Sequence, residues 1–153
     1  MDFVKIILGA AKSVKVSGAI LVAICTHETG LSNIYIQDHG SPSIGICMVK
    51  YETATMLGYE GKPEGLMVPE TNAYYAALYL KFQHDRYQNW CYAIAAYNAG
   101  RYNESKILPG HPRNLKYVRN VQKRMNKSLK KMTSCDINTL EGSNVTFNNG
   151  TGR

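Results

Sequence analysis

One acidic side chain stands where an apolar one would be expected. Glu28 lies seven residues after Leu21 and four after Ile24, so on a helix it continues their apolar stripe toward a core or a cleft wall. It also falls in the last turn before Gly30, where the negative end of the helix dipole opposes a second negative charge. Desolvation and the dipole both favour the neutral carboxyl, the form that can act as a general acid. The alternative is a half-exposed glutamate at a helix end that pairs with a lysine.

A tyrosine and an asparagine stand together near the end of a later predicted helix, in the run Ala96-Tyr97-Asn98-Ala99-Gly100. Gly100 closes that helix, as glycine commonly does. Taken alone, Tyr97 is best interpreted as a core aromatic at helical spacing. The residue types by themselves therefore do not separate a structural role from a role in binding.

Asp38 is the only acid between Glu28 and Gly45. Beside Gly40 it is typical of a turn, in which an aspartate side chain accepts hydrogen bonds from nearby backbone N–H groups. The Ser41-Pro42 pair that follows is typical of a surface turn as well. We therefore interpret both residues first as turn formers.

Periodic apolar residues and helix end signals place these side chains in a mainly α-helical domain. Ser17 suits the N-cap of the helix that carries Glu28, and Pro69 suits a first helical turn. Five or six helices are predicted, at 4–12, at 17–27, from 49, from 69, at 90–97 and at 115–125. The polar segment 31–44 is predicted to be a loop with at most a small β-hairpin.

The length of 153 residues and the hydrophobic content of 44% predict one globular domain. We assign residues 1–132 to this domain and residues 133–153 to a flexible polar tail, because twelve of the last twenty residues are Ser, Thr, Asn or Gly. The apolar runs near the N-terminus are shorter than the ~20 residues of a membrane span, and no cleavage pattern follows them. We expect a monomer that is made in the cytoplasm without an export signal.

The four cysteines, Cys25, Cys47, Cys91 and Cys135, are far apart in the sequence and form no metal-binding pattern. We therefore expect no metal and no cofactor. Three of the four lie in apolar segments, which favours buried free thiols over disulfides.

The net charge of +7 is concentrated in one stretch without acids. Its basic residues are Lys116, Arg119, Lys123, Arg124, Lys127, Lys130 and Lys131. An ordinary helix with a solvated basic face is one interpretation, and attraction to an anionic polymer such as a bacterial wall, lipopolysaccharide or nucleic acid is the other. No recognised motif or stacking-aromatic pattern accompanies the charge, so we do not expect a nucleic-acid partner.

Four blocks follow one another along the sequence: His27-Glu28-Thr29-Gly30, the segment from Ser43 to Ala54, Pro69 and Asn72 ahead of Ala76-Ala77-Leu78-Tyr79-Leu80, and Ala96-Tyr97-Asn98-Ala99-Gly100. In this order and spacing they resemble the soluble lytic transglycosylases and their relatives, the goose-type lysozymes. That family has a helix ending in Glu-Ser, a Gly-Leu-Met-Gln segment running into Thr-Ala, and a later Ala-Tyr-Asn-Ala-Gly block. Residues 27–30, 43–54 and 96–100 correspond to these three features, and residues 69–80 supply the fourth block between them. The resemblance covers roughly Ile6 to Met125 and implies a lysozyme-like α-helical domain.

The resemblance assigns roles to several polar residues of the chain. Glu28 takes the place of the family's single catalytic acid. Tyr97 resembles the tyrosine that holds this carboxyl, and Asn98 belongs to the block that lines the cleft floor. Tyr117 is similar to a tyrosine whose phenol also faces the acid.

Three further positions correspond to substrate contacts in the family, and two of them depart from its pattern. Gly45 begins the segment that is similar to Gly-Leu-Met-Gln, and Met48 stands where the family usually has Gln. The resemblance implies that this replacement removes a polar contact to the acetamido group of the substrate or to a neighbouring subsite. Ser41 resembles a serine that touches the sugar, although two residues are missing between the Ser41-Pro42 pair and Gly45.

The resemblance implies cleavage of the bond between N-acetylmuramic acid and N-acetylglucosamine in peptidoglycan. A lytic transglycosylase needs only one carboxylate, because the C6 hydroxyl of muramic acid closes on C1 and leaves a 1,6-anhydro end. Goose-type lysozymes instead position a water with two further acids; Asp38 lies near one of those positions, but Lys50 occupies the other. We therefore favour the transglycosylase over the hydrolase and over a non-catalytic wall-binding protein. The expected setting is a phage endolysin or virion lysin, which is released by a holin or carried in the particle and acts in the periplasm or cell wall. A wall-piercing component of a secretion or conjugation apparatus is the alternative.

Overall fold

The computed structural model describes residues 1–37 and 39–136. The chain forms two compact units, Met1–Tyr79 and Leu80–Arg153. Unit 1 contains α1 (Phe3–Val14), α2 (Gly18–Thr29), β1 (Tyr35–Ile36), β2 (Ser43–Ile44), β3 (Val49–Lys50), α3 (Tyr51–Met56), a 3₁₀ turn (Pro63–Met67) and the first part of α4 (Pro69–Tyr87). Unit 2 contains the end of α4, α5 (Trp90–Ala99), α6 (Leu115–Gln122) and α7 (Lys127–Met132). The prediction of a mainly α fold is confirmed.

Helix α2 begins and ends where the sequence predicts. The Ser17 hydroxyl accepts a hydrogen bond from the Ile20 N–H at 3.3 Å, and Gly30 closes the helix in the left-handed conformation, with φ of +63°. Helix α2 packs against α1, and Gly18 allows the close approach, because a Cβ there would lie 2.7 Å from Cδ2 of Leu8. Leu21 and Ile24 are fully buried, which confirms the inward stripe that leads to Glu28.

The loop after α2 contains more strand than the predicted hairpin. Three two-residue strands form an antiparallel sheet in the order β1-β2-β3, with Tyr35 opposite Ile44 and Ile44 opposite Val49. The central strand is buried, and the turn of residues 45–48 joins it to β3. Strands this short carry no readable alternation of apolar and polar residues, so their pairing is set by tertiary packing.

The prediction of free thiols is wrong. Cys25 is bonded to Cys47 and Cys91 to Cys135, across 22 and 44 residues of sequence. Burial was inferred correctly, since Cys25, Cys47 and Cys91 are fully buried. A buried cysteine has the same local apolar pattern whether it is paired or free, and only the packing of distant segments brings two of them together.

Packed structure continues past the predicted boundary at residue 132. Thr133 is fully buried, and its carbonyl oxygen and hydroxyl accept hydrogen bonds from Gln122 Nε2 at 2.9 and 3.2 Å. Cys135 follows in its disulfide. Residues 137–153 lie outside the described residues, so the polar tail stays a prediction. No helix in the described ranges is long and apolar enough to cross a membrane.

Candidate active site

Glu28 lies in the last turn of α2 and is half-buried. The following residue, Thr29, joins this turn to the β2–β3 turn, because its hydroxyl donates to the Ile46 carbonyl at 2.8 Å. The same hydroxyl accepts a hydrogen bond from Ser32 N–H at 3.2 Å. The carboxyl therefore stands on a helix end that side-chain hydrogen bonds hold in place.

The β2–β3 turn, residues 45–48, carries two of the predicted substrate-binding residues. Gly45 has φ of +83° and donates its N–H to the Ile34 carbonyl at 2.6 Å. Met48 also has positive φ, at +50°, is half-buried, and donates its N–H to the Gly45 carbonyl at 3.2 Å. Unit 1 thus places Gly45 and Met48 on the turn that contacts the end of the Glu28 helix.

Asn72, on α4, anchors this turn from within the core. The residue is fully buried, and its Nδ2 donates to the carbonyls of Ile44 at 2.7 Å and Leu66 at 3.0 Å. Its Oδ1 accepts a hydrogen bond from the Cys47 N–H at 3.0 Å. A buried amide whose donors and acceptor are used in this way specifies one arrangement of the backbone around it. The sequence showed Asn72 only as part of a family block, and its role in the turn was missed.

Ser41 caps a helix in this structure. Its hydroxyl accepts a hydrogen bond from the Glu52 N–H at 3.0 Å, at the start of α3. This contact joins residues eleven positions apart in the sequence and engages the hydroxyl as an acceptor, so the interpretation of Ser41 as a turn former stays a prediction. Asp38, the candidate second carboxylate, lies outside the described residues.

In unit 2 the predicted site residues lie on α5 and α6. Asn89 caps α5 by accepting a hydrogen bond from the Tyr92 N–H at 3.0 Å, and the Gly100 N–H donates to the Ala96 carbonyl at the other end, at 2.8 Å. Tyr97 is buried, with 7% of its surface exposed, whereas the next residue, Asn98, is exposed. The two adjacent residues therefore differ in accessibility: Tyr97 is packed inside unit 2, and Asn98 is accessible to a ligand.

Asn114, which precedes α6, holds the Asn98 side chain. Its Nδ2 donates to Asn98 Oδ1 and to the Ala95 carbonyl, both at 3.0 Å. Asn98 is thereby oriented with its oxygen toward Asn114, and α6, which carries the half-buried Tyr117, is joined to the end of α5. Sequence reasoning missed Asn114, because an asparagine before a helix predicts a cap for that helix, and here the side chain makes no such cap.

One acid of unit 2 is held in its charged form. The Tyr102 hydroxyl and the Gly110 N–H both donate to the Glu104 carboxylate. The hydrogen bond from Tyr102 lowers the pKa of Glu104, while burial and that same hydrogen bond raise the pKa of Tyr102. Glu104 is therefore unsuited to the role of a proton donor near neutral pH. Among the described residues no group of three His, Cys, Asp or Glu side chains is arranged to hold a metal ion.

Both the sequence and the fold are similar to those of known proteins. Residues 5–119 match the family model of the transglycosylase SLT domain. The fold is similar to an inactive mutant of the lytic transglycosylase Slt from Pseudomonas aeruginosa, with a TM-score of 0.55 and 18% sequence identity. That match covers 91% of this chain and 24% of Slt, so the chain spans about a quarter of the length of that protein. No curated protein sequence matches significantly. The chain belongs to the transglycosylase SLT domain family, as the four sequence blocks predicted.

Proposed function

We propose that this protein cleaves the β-1,4 bond between N-acetylmuramic acid and N-acetylglucosamine in peptidoglycan, as a lytic transglycosylase. Membership in the transglycosylase SLT domain family supports the reaction class. The observation that carries the assignment to a residue is the half-buried Glu28 at the anchored end of α2. In that position a carboxyl is partly desolvated yet open to a ligand, as a general acid must be.

Glu28 acts twice in the proposed reaction. As an acid it protonates the glycosidic oxygen, so that the bond to C1 of muramic acid breaks and the N-acetylglucosamine end leaves with a hydroxyl. As a base it then takes the proton of the C6 hydroxyl while that oxygen bonds to C1. The nucleophile is already part of the substrate, so proximity replaces the second carboxylate that most glycosidases need. The product is a 1,6-anhydromuramic end, and Glu28 regains its proton.

We propose substrate-binding residues for each unit by itself. In unit 1 they are Gly45 and Met48 on the β2–β3 turn, with Ser41 as the weakest member, since its hydroxyl already caps α3. In unit 2 they are Asn98, whose amide is exposed and oriented by Asn114, together with Tyr97 and Tyr117.

Hydrolysis of the same bond is the second candidate. It would need an acid to position water, and Asp38 is the residue that the sequence offers. Lys50 stands at the other position and is exposed at the end of β3, so the pair of acids is incomplete. We therefore favour intramolecular attack by the C6 hydroxyl.

We also propose that the protein acts outside the cytoplasm, in the cell wall, as a bacteriolytic enzyme of the endolysin type. Two disulfides support this site of action, because such bonds persist in oxidising compartments. Peptidoglycan is the partner that the proposal requires. Release by a holin, carriage in a virion and a monomeric state stay predictions.

Mass spectrometry of digested, purified peptidoglycan tests the reaction. We expect muropeptides that end in 1,6-anhydromuramic acid, each one water lighter than a lysozyme product. Glu28→Gln should lower the rate by roughly 10²- to 10⁴-fold with an unchanged fold, because an amide cannot transfer the proton. Glu60→Gln, which neutralises an exposed glutamate of the same unit, should keep full activity.

Asp38→Asn separates the two candidate reactions. With the C6 hydroxyl as nucleophile, this variant should retain most of its activity and the same anhydro ends. Reducing-end products, together with a rate loss of orders of magnitude in Asp38→Asn, would establish the hydrolase instead. An active Glu28→Gln variant would remove the catalytic assignment.

A further inference from the structure

The two disulfides join different parts of the molecule. Cys25–Cys47 connects α2, which carries Glu28, to the β2–β3 turn, with Cα atoms 4.3 Å apart. Cys91–Cys135 connects the first turn of α5 to the segment after α7. Both sulfurs of the first pair belong to fully buried residues. The first disulfide therefore lies inside unit 1 and joins the helix that carries Glu28 to the turn that carries Gly45 and Met48.

Each cysteine of the first disulfide lies close in sequence to a proposed site residue. Cys25 precedes Glu28 by three residues, so the two lie about one turn apart on neighbouring positions of the same helix. On the other side, Cys47 is bonded directly to Met48 in sequence. The disulfide thus links the turn that carries the acid to the residue that replaces the family's glutamine.

A helix end needs such support. The last four carbonyls of a helix lack partners within it, and helix termini fray. Here two noncovalent contacts act beside the disulfide: Thr29 donates to the Ile46 carbonyl at 2.8 Å, and the Cys47 N–H donates to the buried Asn72 at 3.0 Å. Opening of the last turn of α2 would move the Glu28 carboxyl relative to Met48. The disulfide limits that motion, because it fixes the start of this turn beside Cys47 and closes residues 25–47 into one loop.

We propose that Cys25–Cys47 is a positioning crosslink, which fixes the Glu28 carboxyl relative to the β2–β3 turn and thereby sets the rate of bond cleavage. The proposal rests on the proposed function, in which Glu28 is the acid. Cys25 and Cys47 are positioning residues, since they act through Glu28 and Met48.

The second disulfide provides the control for general stabilisation. In the chain-entropy account, a crosslink stabilises more when it closes a longer loop, and Cys91–Cys135 spans 44 residues against 22 for Cys25–Cys47. Loss of Cys91–Cys135 should therefore lower thermal stability at least as much. Only loss of Cys25–Cys47 should disturb the end of α2.

The experiment compares Cys25→Ala/Cys47→Ala with Cys91→Ala/Cys135→Ala, well below the melting temperature of each. The readouts are Tm, kcat and KM on solubilised glycan strands, and amide hydrogen exchange of residues 26–30. For the first variant we expect kcat to fall roughly 10- to 100-fold, with KM within about twofold of wild type, because small displacements of a catalytic group have effects of this size. Amide exchange at residues 26–30 should rise at least about tenfold, as expected for local opening.

The control variant should show a lower Tm, with kcat and exchange at residues 26–30 near the wild-type values. Equal losses of kcat in the two variants, or wild-type kcat after removal of Cys25–Cys47, would overturn the proposal. If the first variant does not fold, Cys25→Val/Cys47→Ala restores buried volume and is judged by the same criteria. Hydrogen exchange needs no activity, so an inactive wild-type protein would refute the proposed function while exchange still decides whether the crosslink holds the helix end.

Discussion

At the scale of single residues, Gly45 lies directly against the buried side chain of Asn72. Gly45 has φ of +83°, a region that favours glycine. A Cβ at this position would also lie well inside contact distance of the Asn72 amide. Asn72 in turn holds three backbone groups through buried hydrogen bonds. The glycine is required here for space as well as for conformation.

Gly45→Ala should therefore destabilise the protein more than backbone strain alone explains. Gly58→Ala is the matched control, because Gly58 also has positive φ, of +102°, but a Cβ added there would meet nothing within 4 Å. Displacement of Asn72 leaves buried polar groups unsatisfied, at about 1–3 kcal/mol for each group. We expect Gly45→Ala to cost at least ~2 kcal/mol more than Gly58→Ala in urea unfolding. If the two variants are destabilised equally, Asn72 can move away from the new methyl group and still satisfy its hydrogen bonds.

At the scale of elements, α5 and α6 are joined by a side chain that lies outside both. Asn114 precedes α6 and donates to the Ala95 carbonyl and to Asn98 Oδ1 near the end of α5. The relative placement of the two helices and the orientation of the exposed Asn98 amide thus depend on the same residue. Substitution of Asn114 would therefore change the affinity of a ligand that binds Asn98, even though the ligand does not contact Asn114.

Asn114→Ala should raise KM for glycan strands several-fold and leave kcat close to wild type, if the orientation of Asn98 contributes to binding. Loss of two hydrogen bonds should also lower stability by about 1–3 kcal/mol. Asn120→Ala, on α6, is the control, and its effect on stability is expected to stay within about 0.5 kcal/mol. Steady-state kinetics and urea unfolding check both effects. An unchanged KM in a destabilised Asn114→Ala variant would restrict Asn114 to a structural role.

At the scale of the whole molecule, charge is the dominant feature. The net charge is +7, and the seven basic residues between Lys116 and Lys131 are all exposed, on and around α6 and α7. No acid occurs between Leu115 and Cys135. Because this surface is exposed to solvent, its attraction to a polyanion would be screened strongly by salt.

Lysis of whole cells should therefore slow as ionic strength rises from about 0.01 to 0.3 M, since the screening length falls below about 10 Å above 0.1 M. Cleavage of short glycan oligomers, which carry only a few charges each, should change much less over the same range. A Lys123→Gln/Lys127→Gln/Lys130→Gln variant should show a weaker salt dependence on cells and wild-type rates on the oligomers. If lysis by the wild type does not depend on salt, the basic residues form an ordinary solvated surface and do not attract the protein to a polyanion.

The sequence alone determined the ends of helices and the faces that they bury. Ser17 and Gly30 mark the two ends of α2 because capping depends on backbone groups within a few residues. The stripe of Leu21 and Ile24 predicted the inward course toward Glu28, and both are fully buried. The four family blocks predicted the fold class and the family. Caps and apolar stripes depend on neighbours along the chain, so they are readable without knowledge of the rest of the fold, whereas the family blocks predicted by resemblance.

The tertiary structure decided the contacts between distant segments. Cys25 meets Cys47, Asn72 meets the β2–β3 turn, and Asn114 meets Asn98, over separations of 22, 25 and 16 residues. The cysteines were predicted to be free because a buried cysteine has the same apolar neighbours along the chain with or without a partner. The asparagines were missed because an amide does not specify, in sequence, which backbone group will satisfy it. Such pairings exist only after helices and turns have packed, since packing alone brings their atoms within bonding distance.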